Sequence, residues 1–459
     1  MRRVLTTTAL LFFLALTTFY LHRSLPTSLP ISTSSSSSSP QELTTSHPLP
    51  APNTTLPWTY TPSQHAHRLT LSQSQCHSSF PHLFTEIHRA TSHHHTTPIP
   101  LSALDPTWRG DGIIRALLHN QQLYILDARG VTDRNHRPRQ LATLHALHRA
   151  VVSSPEDLPD IEFTITDHDS PDLGVAEGEK GHTTWAYSRL PEQEELWLMP
   201  DFGFWGWPDV NLRSYGEVRR RIGETGSGAR EEVAWGEKED KLVWRGSVDV
   251  GARDVRAALL EQSRGMEWSS VFGMDWGNET DVKKKLIGME DHCRYKFVAQ
   301  TEGNTYSARL KYLLNCGSLV LAHEMRFVEH FTHLLRREGP EQNYVQVRRD
   351  WKDLKGTMKW LLGEEGKERA EDVARRSKEV FRDRYLSPAA EACYWRELIR
   401  GWSEVQDFTP EFWEEVAVEE DGVKRMIRKP RGVPFESYAI MEATDWSMPS
   451  KPRKICEYD

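Results

Sequence analysis

"YKFVAQTEGNTYSARLKYLLNCGSLVLAHE", residues 295–324, decides how this chain folds. "YKFVAQ" is a short apolar run with aromatic and β-branched side chains, which predicts a buried strand. The chain turns through Gly303, and "TYSARLKYLLNCG" predicts a helix ending at Gly317. "SLVLAHE" predicts a second strand. Strand, helix and strand in that order argue for a parallel sheet. The same alternation extends on both sides. Upstream, "KLVWRG" reads as a strand and "RDVRAALLEQS" as a helix; downstream, "NYVQV" and "WKDLKGTMKWLL" add another of each.

A separate set of elements precedes these. "QQLYILDARG" predicts a strand, Leu141, Leu144, Leu147 and Val151 recur at helical spacing, and "DIEFTITDHDSPD" (160–172) alternates as a half-buried strand does. "TTWAYS" and "ELWLMPD" are short apolar runs leading to the aromatic loop "FGFWGWPDV". The Gly-rich, charged stretch 223–240 divides the two sets. With 459 residues, two lobes are expected rather than one average core. The predicted class is α/β, two Rossmann-like lobes with a cleft between them. The net charge of −8 argues against a general nucleic-acid binder.

The N-terminus adds a membrane element. Val4–Leu21 is uncharged and apolar, roughly the 17–25 residues that span a bilayer. Arg2 and Arg3 before it favour a signal anchor with a cytosolic tip. A cleaved signal peptide is the alternative, but no small-x-small site follows. The next stretch, rich in Ser, Thr and Pro, cannot build a core and reads as a stalk. The expected organisation is therefore 1–25 tip and anchor, 26–75 stalk, 76–225 first lobe, 226–385 second lobe and 386–459 C-terminal helices and tail. Asn53 and Asn278 lie in glycosylation sequons, consistent with a lumenal domain. The five cysteines (Cys76, Cys293, Cys316, Cys393, Cys456) lack C-x-x-C spacing, so a zinc site is not expected. In an oxidising lumen they imply two disulfides and one thiol, with the pairing open.

Three stretches can carry chemistry. Gly303, Ser307 and Arg309 sit at a turn entering a helix, where backbone N–H groups, a hydroxyl and a guanidinium suit a diphosphate; an ordinary strand–helix turn is the plain alternative. Arg245 and Gly246 close a strand, and Arg253 and Asp254 open the next helix, facing a ligand or simply favouring the helix dipole. Asp167 and Asp169 end the strand of 160–172. They read as an Asp-x-Asp metal site, as one general base, or as a polar loop. His93, His94 and His95 have no acidic or Cys neighbours in sequence to complete a metal site. The Trp-rich loop after residue 201 suits sugar stacking or core packing.

Taken together, "VWRGSVDVGARD", "DHCRYKFVAQTEGNTYSARLKYLLNCGSLVL", "NYVQVRRDWKDL" and "CYWRELI" resemble the capsule-associated, Rumi-like glycosyltransferases (glycosyltransferase family 90), in unbroken order over residues 155–410. The family holds protein O-glucosyltransferases and fungal capsule xylosyltransferases, and the resemblance is to the fungal type. It implies a GT-B-like fold, a UDP-sugar donor, inversion at the sugar and no cofactor or metal for nucleotide binding. It puts the catalytic base on Asp169. The nucleotide-sugar site falls on Arg245, Gly246, Ser247, Arg253, Asp254, Gly303, Ser307 and Arg309. It also implies the disulfides Cys293–Cys316 and Cys76–Cys393. The chain departs from the family pattern at His168, where Arg is usual, and at Asn343 and Gln346.

The expectation is a single-pass type II Golgi glycosyltransferase moving xylose or glucose from a UDP-sugar to a glycan or protein hydroxyl. Its partners are the donor, the acceptor and the membrane, with no nucleic acid; an ER or secreted location is the alternative, and the closing "CEYD" carries no ER-retention signal. Two rivals stand: a metal-dependent transferase using Asp167 and Asp169, and a non-catalytic carbohydrate-binding protein using the Trp-rich loop.

Overall fold

The computed structural model describes residues 58–131, 136–169, 183–207, 212, 214–223, 232–420 and 423–444. The anchor, most of the stalk, Asn53 and Cys456 lie outside the described residues, as do Ser170 and Pro171. No helix among the described residues is long and apolar enough to cross a membrane. Among the described residues, two sheets and a separate hairpin carry thirteen strands: β1 Ile113–His119, β2 Gln122–Arg129, β3 Ile161–Thr166, β4 Trp185–Ala186, β5 Trp197–Leu198, β6 Glu239–Gly246, β7 Ser269–Gly273, β8 Tyr295–Gln300, β9 Leu319–His323, β10 Val345–Val347, β11 Trp413–Glu420, β12 Val423–Pro430 and β13 Val433–Pro434.

The second lobe matches the sequence reading. Its five strands are all parallel, in the order β10-β9-β8-β6-β7. Leu319, Val320, Leu321 and Ala322 of β9 are all buried, as strands covered on both faces require. The strand order reverses between β6 and β8, so the loops after those two strands open a crevice at the sheet's C-terminal edge. One detail differs. The helix expected up to Gly317 is regular only at Leu310–Leu313, and Ser307 and Arg309 lie in the turn that leads into it. That segment is pinned by Lys311, Asn315 and the Cys293–Cys316 disulfide, so its local geometry follows its partners.

The first lobe is not the parallel sheet that strand–helix alternation predicts. Its order is β13-β2-β1-β3-β4-β5, and β1 is antiparallel to both β2 and β3. β1 pairs with β2 through a two-residue turn in which Asn120 and Gln121 both have positive φ (49° and 64°). That is the primed hairpin turn, which matches the twist of the strands. Gln121 tolerates it while its side-chain amide donates to the Leu158 carbonyl at 2.9 Å. Trp185, Trp197, Trp244, Trp351, Trp395 and Trp402 are fully buried. In the first lobe Trp185 stacks on Phe163 at 4.2 Å, and Trp402 meets Trp185 and Trp197 at 5.7 and 5.3 Å.

The C-terminal segment crosses back. In helix Pro388–Ser403, Trp402 Nε1 donates to the Glu162 carbonyl at 3.0 Å and Tyr394 Oη to that of Leu198 at 2.9 Å. Both disulfides the family resemblance implied are present, Cys76–Cys393 fastening this helix to helix Gln73–Ser79 and Cys293–Cys316 bracing the second lobe. Two boundaries move. Residues 58–75 belong to the folded body rather than the stalk, because Leu71 is buried and Trp58, Tyr60 and Leu69 pack on the core. The C-terminal part is not helical throughout: β11 and β12 form a hairpin, and β13 joins the first sheet, where Arg431 reaches the buried Glu162 carboxylate at 2.9 and 3.0 Å.

Candidate active site

Asp169 follows β3 at the sheet edge, where the strand's backbone pairing has ended. Arg139 Nη1 donates to its Oδ1 at 2.8 Å. Arg139 stands one turn into helix His136–Val152, with its guanidinium 4.9 Å from the centre of the Phe202 ring. Burial is the largest influence and works against the Arg139 charge, but Asp169, Tyr306, Tyr187 and Asp167 together outweigh it and raise the guanidinium's affinity for its proton. The other side of Asp169 touches the second lobe. Thr305 Oγ1 donates to the Asp169 carbonyl at 2.6 Å, and Asn304 Nδ2 lies 3.4 Å from Oδ2. The carboxylate is 31% exposed, so it is held at one edge and open at another, as a proton acceptor for a substrate requires.

Asp167 takes no part in an Asp-x-Asp pair. It is buried, and its Oδ1 accepts from His136 Nδ1 at 2.6 Å, while Asp169 turns to Arg139. Burial raises the Asp167 pKa, with His136 opposing. The two carboxylates of the proposed motif therefore have separate partners, and the arrangement does not support the metal-dependent rival built on them.

Across from Asp169 lies the crevice of the second lobe. Ala252 N donates to Gly303 O and Gly251 N to Asn304 Oδ1, both at 2.9 Å, tying the loop after β6 to the loop after β8. A Cβ on Gly251 would come within 2.7 Å of Asn304 Cα, so this approach needs glycine. Arg256 bridges the same loops, donating from Nε to Glu302 O at 2.8 Å and from Nη1 to Ser247 O at 2.7 Å. Its Nη2 lies over Gly303. Arg309 approaches from the other side: both guanidinium groups face the buried Trp244 ring, at 5.8 and 6.0 Å. Neither has a carboxylate partner among the described residues, and Arg309 Nε has no hydrogen-bond partner there. Burial, then Arg256, disfavours the Arg309 charge; burial alone does so for Arg256. Two cations held together without an anion are the electrostatic outline of an anion site.

The remaining expected residues separate. Gly303 and Ser307 belong to this turn, and Ser247 faces it through the Arg256 bridge. Gly246 is buried beneath Trp244, its carbonyl taken by Met274 N. Arg253 and Asp254 are exposed at the start of helix Arg253–Ser263. Arg245, expected to line the donor site, is a packing residue in this structure. All three of its guanidinium nitrogens donate to protein acceptors, on Lys285, Trp244 and Ser270. Of the departures from the family pattern, Asn343 is buried and bonds the Leu334 carbonyl and Arg336 amide, and His168 turns to Asp111. Phe202 and Phe204 of the Trp-rich loop are core, which favours the packing reading over sugar stacking.

Arg139, Arg256 and Lys311 escaped the sequence reading. Arg256 stands three residues after Arg253 on a helix already singled out, and that spacing was the available signal. Lys311 lies in the short helix that the Arg309 turn enters, and its ammonium is fully buried against Asp201 of the first lobe at 2.7 Å. Asn278 is exposed, its side chain capping helix Glu279–Lys285.

A stretch of 181 residues is 28% identical to human "Protein O-glucosyltransferase 3", taking in 39% of this chain and 34% of that protein. Over 255 residues the chain is 24% identical to "O-glucosyltransferase rumi" of Drosophila melanogaster, 53% of this chain and 60% of that one. Human "Protein O-glucosyltransferase 1" is 24% identical over 258 residues, 54% and 63% of the two chains. The matches span about a third to somewhat under two thirds of these relatives' lengths. The sequence model of "Glycosyl transferase family 90" matches residues 72–450, most of the folded body, and this chain belongs to that family.

Proposed function

We propose that this chain is an inverting glycosyltransferase of GT-B-like build that moves glucose or xylose from a UDP-sugar to a hydroxyl of a protein or glycan. The observation that carries the reading is the contact of Asp169 with Thr305, which brings a partly exposed carboxylate against the turn that holds Gly303, Ser307 and Arg309. Asp169 accepts the proton of the acceptor hydroxyl, and the oxygen attacks the anomeric carbon. The bond from that carbon to the diphosphate breaks with its electron pair going to the leaving phosphate oxygen. Arg309, Arg256 and the Ser307 hydroxyl stabilise that developing charge from fixed positions. Arg139 keeps Asp169 in place. The family and the names of its relatives support the reaction class. The apolar run Val4–Leu21 and the exposed sequon at Asn278 support a type II membrane protein of the Golgi.

The test is thermal stabilisation of the full-length protein in detergent by a panel of UDP-sugars, with and without EDTA, followed by UDP release with candidate acceptors. A ligand that binds only the folded state raises the transition by mass action, about 2.7 kcal/mol at one hundred times its Kd. One UDP-sugar should stabilise the protein with or without EDTA. No shift with any of them would remove the donor site from the account.

A further inference from the structure

Next to the base, three side chains converge that the proposed reaction does not use. Asp111 lies in the turn before β1, His136 at the start of the following helix, and His168 between Asp167 and Asp169. His168 Nε2 is 3.1 Å from Asp111 Oδ1, and His136 Nε2 is 3.6 Å from Asp111 Oδ2. One ligand atom from each residue falls within 4.8 Å of the others. The two imidazole rings are 4.6 Å apart. Ligand atoms about 2.0–2.2 Å from a zinc ion stand roughly 3.3–3.6 Å apart at tetrahedral angles, so small side-chain movements close this set around one ion.

The surroundings are built for it. His136 Nδ1 donates to Asp167 Oδ1 at 2.6 Å, and Nε2 faces Asp111. A buried carboxylate behind a histidine fixes its tautomer and raises its basicity, the arrangement found behind metal-bound histidines. Asp167 is 2% exposed, and among the described residues its Oδ2 has no hydrogen-bond partner. Two imidazole rings and two carboxylates thus converge here, a donor set whose two negative charges one divalent cation balances. Space for the cluster comes from Gly112: a Cβ there would stand 2.2 Å from His168 Nε2 and 2.7 Å from Asp167 Oδ1.

The geometry points to a binding site for one divalent transition metal of the zinc class, held by Asp111, His136 and His168 with Asp167 behind His136. Two nitrogen ligands favour such an ion over magnesium or calcium, which take oxygen. The site is distinct from an Asp167–Asp169 motif and from the arginine pair. It ties the turn before β1 to the residue that precedes the base, and so it positions Asp169 rather than holding the diphosphate.

The test uses the full-length protein, stripped with chelator and titrated with Zn²⁺ or Co²⁺, reading bound metal per chain and the visible absorption of bound cobalt. Wild type and Asp169→Asn should each bind one equivalent. His168→Gln and Asp111→Asn, both at partly exposed positions, should weaken binding at least tenfold, and Asp167→Asn by roughly 10–100-fold. A variant lacking His93 and His95 should bind as wild type does. Unchanged binding in His168→Gln and Asp111→Asn overturns the assignment. So does the loss of binding in Asp169→Asn, or absence of binding in wild type accompanied by acid stabilisation that His168→Gln abolishes, which would make the cluster a protonated ion pair.

Discussion

Lys311→Met tests how the donor turn is held. Lys311 Nζ donates to both Asp201 oxygens, at 2.7 and 2.8 Å, and to the Ala308 carbonyl at 2.8 Å. Its side chain is 0% exposed and that of Asp201 2%. Asp201 belongs to the first lobe and Lys311 to the short helix that the turn with Ser307 and Arg309 enters, so the pair fastens one lobe's anion turn to the other. Tyr312 Oη adds a bond to Gly203 O at 2.8 Å. Methionine preserves most of the volume and removes the cation, leaving Asp201 buried with the Gly203 amide as its remaining donor among the bonds described. Removing one member of a buried pair costs about 3–5 kcal/mol. Unfolding entropy of about 2.1 cal/mol/K per residue gives roughly 0.8 kcal/mol/K for roughly 400 folded residues, so the transition should fall by about 4–6 °C. Differential scanning fluorimetry of the full-length protein reads this directly. Asp201→Asn combined with Lys311→Met should recover part of the loss, because two residues in contact couple by about 0.5–3 kcal/mol. A shift under about 1 °C in Lys311→Met, or losses that simply add in the double variant, would refute the reasoning.

Arg309→Met separates binding from folding. A charge-assisted hydrogen bond to a phosphate is worth about 1.5–3 kcal/mol, so UDP affinity should fall roughly 10–150-fold by calorimetry. Because burial and Arg256 disfavour the Arg309 charge, the ligand-free transition should stay or rise; a large drop would make Arg309 structural. Glu329→Gln tests a buried acid. Burial, and then the Asp201 carboxylate, raises the Glu329 pKa well above its ordinary 4.5. The contribution of its protonated form is full below that value and lost as pH rises through the folded one. The variant keeps its neutral side chain, so its transition should gain on wild type as pH rises from about 4.5, measured across a pH series. A gap that closes instead would reverse the assignment.

Local pattern carried much of this structure. The second lobe was legible because each strand is a short apolar run and each helix has its own period, and its parallel order follows from that alternation. Asp169 and the Gly303–Arg309 turn were legible as motifs. What was missed depends on distant partners. β1 escaped because Asn120-Gln121 is a weak turn signature, and without β1 the first lobe reads as parallel. The hairpin β11–β12 had a signal in its charges. Glu414 faces Lys429, Glu415 faces Arg428 and Glu419 faces Lys424, yet an acidic run followed by a basic one reads as surface until the strands are paired. Arg245 shows the opposite case: its position near a strand's end suits a ligand, and its guanidinium is taken up by the Trp244 and Ser270 carbonyls of β6 and β7, the Ser270 hydroxyl and the Lys285 carbonyl at a helix end. Arg139 and Arg256 act through groups remote in sequence, Asp169 and the loop after β8; for Arg256 the spacing from Arg253 was a signal, and for Arg139 none was.

The most direct test of the central claim is Asp169→Asn, assayed for sugar transfer and for UDP binding on the same preparation. General-base catalysis contributes roughly 10²–10⁴-fold, so transfer should fall by that factor while the Kd for UDP stays within twofold of wild type. Retained transfer would contradict the role of Asp169 as base, and loss of both activities would make it a structural link between the lobes.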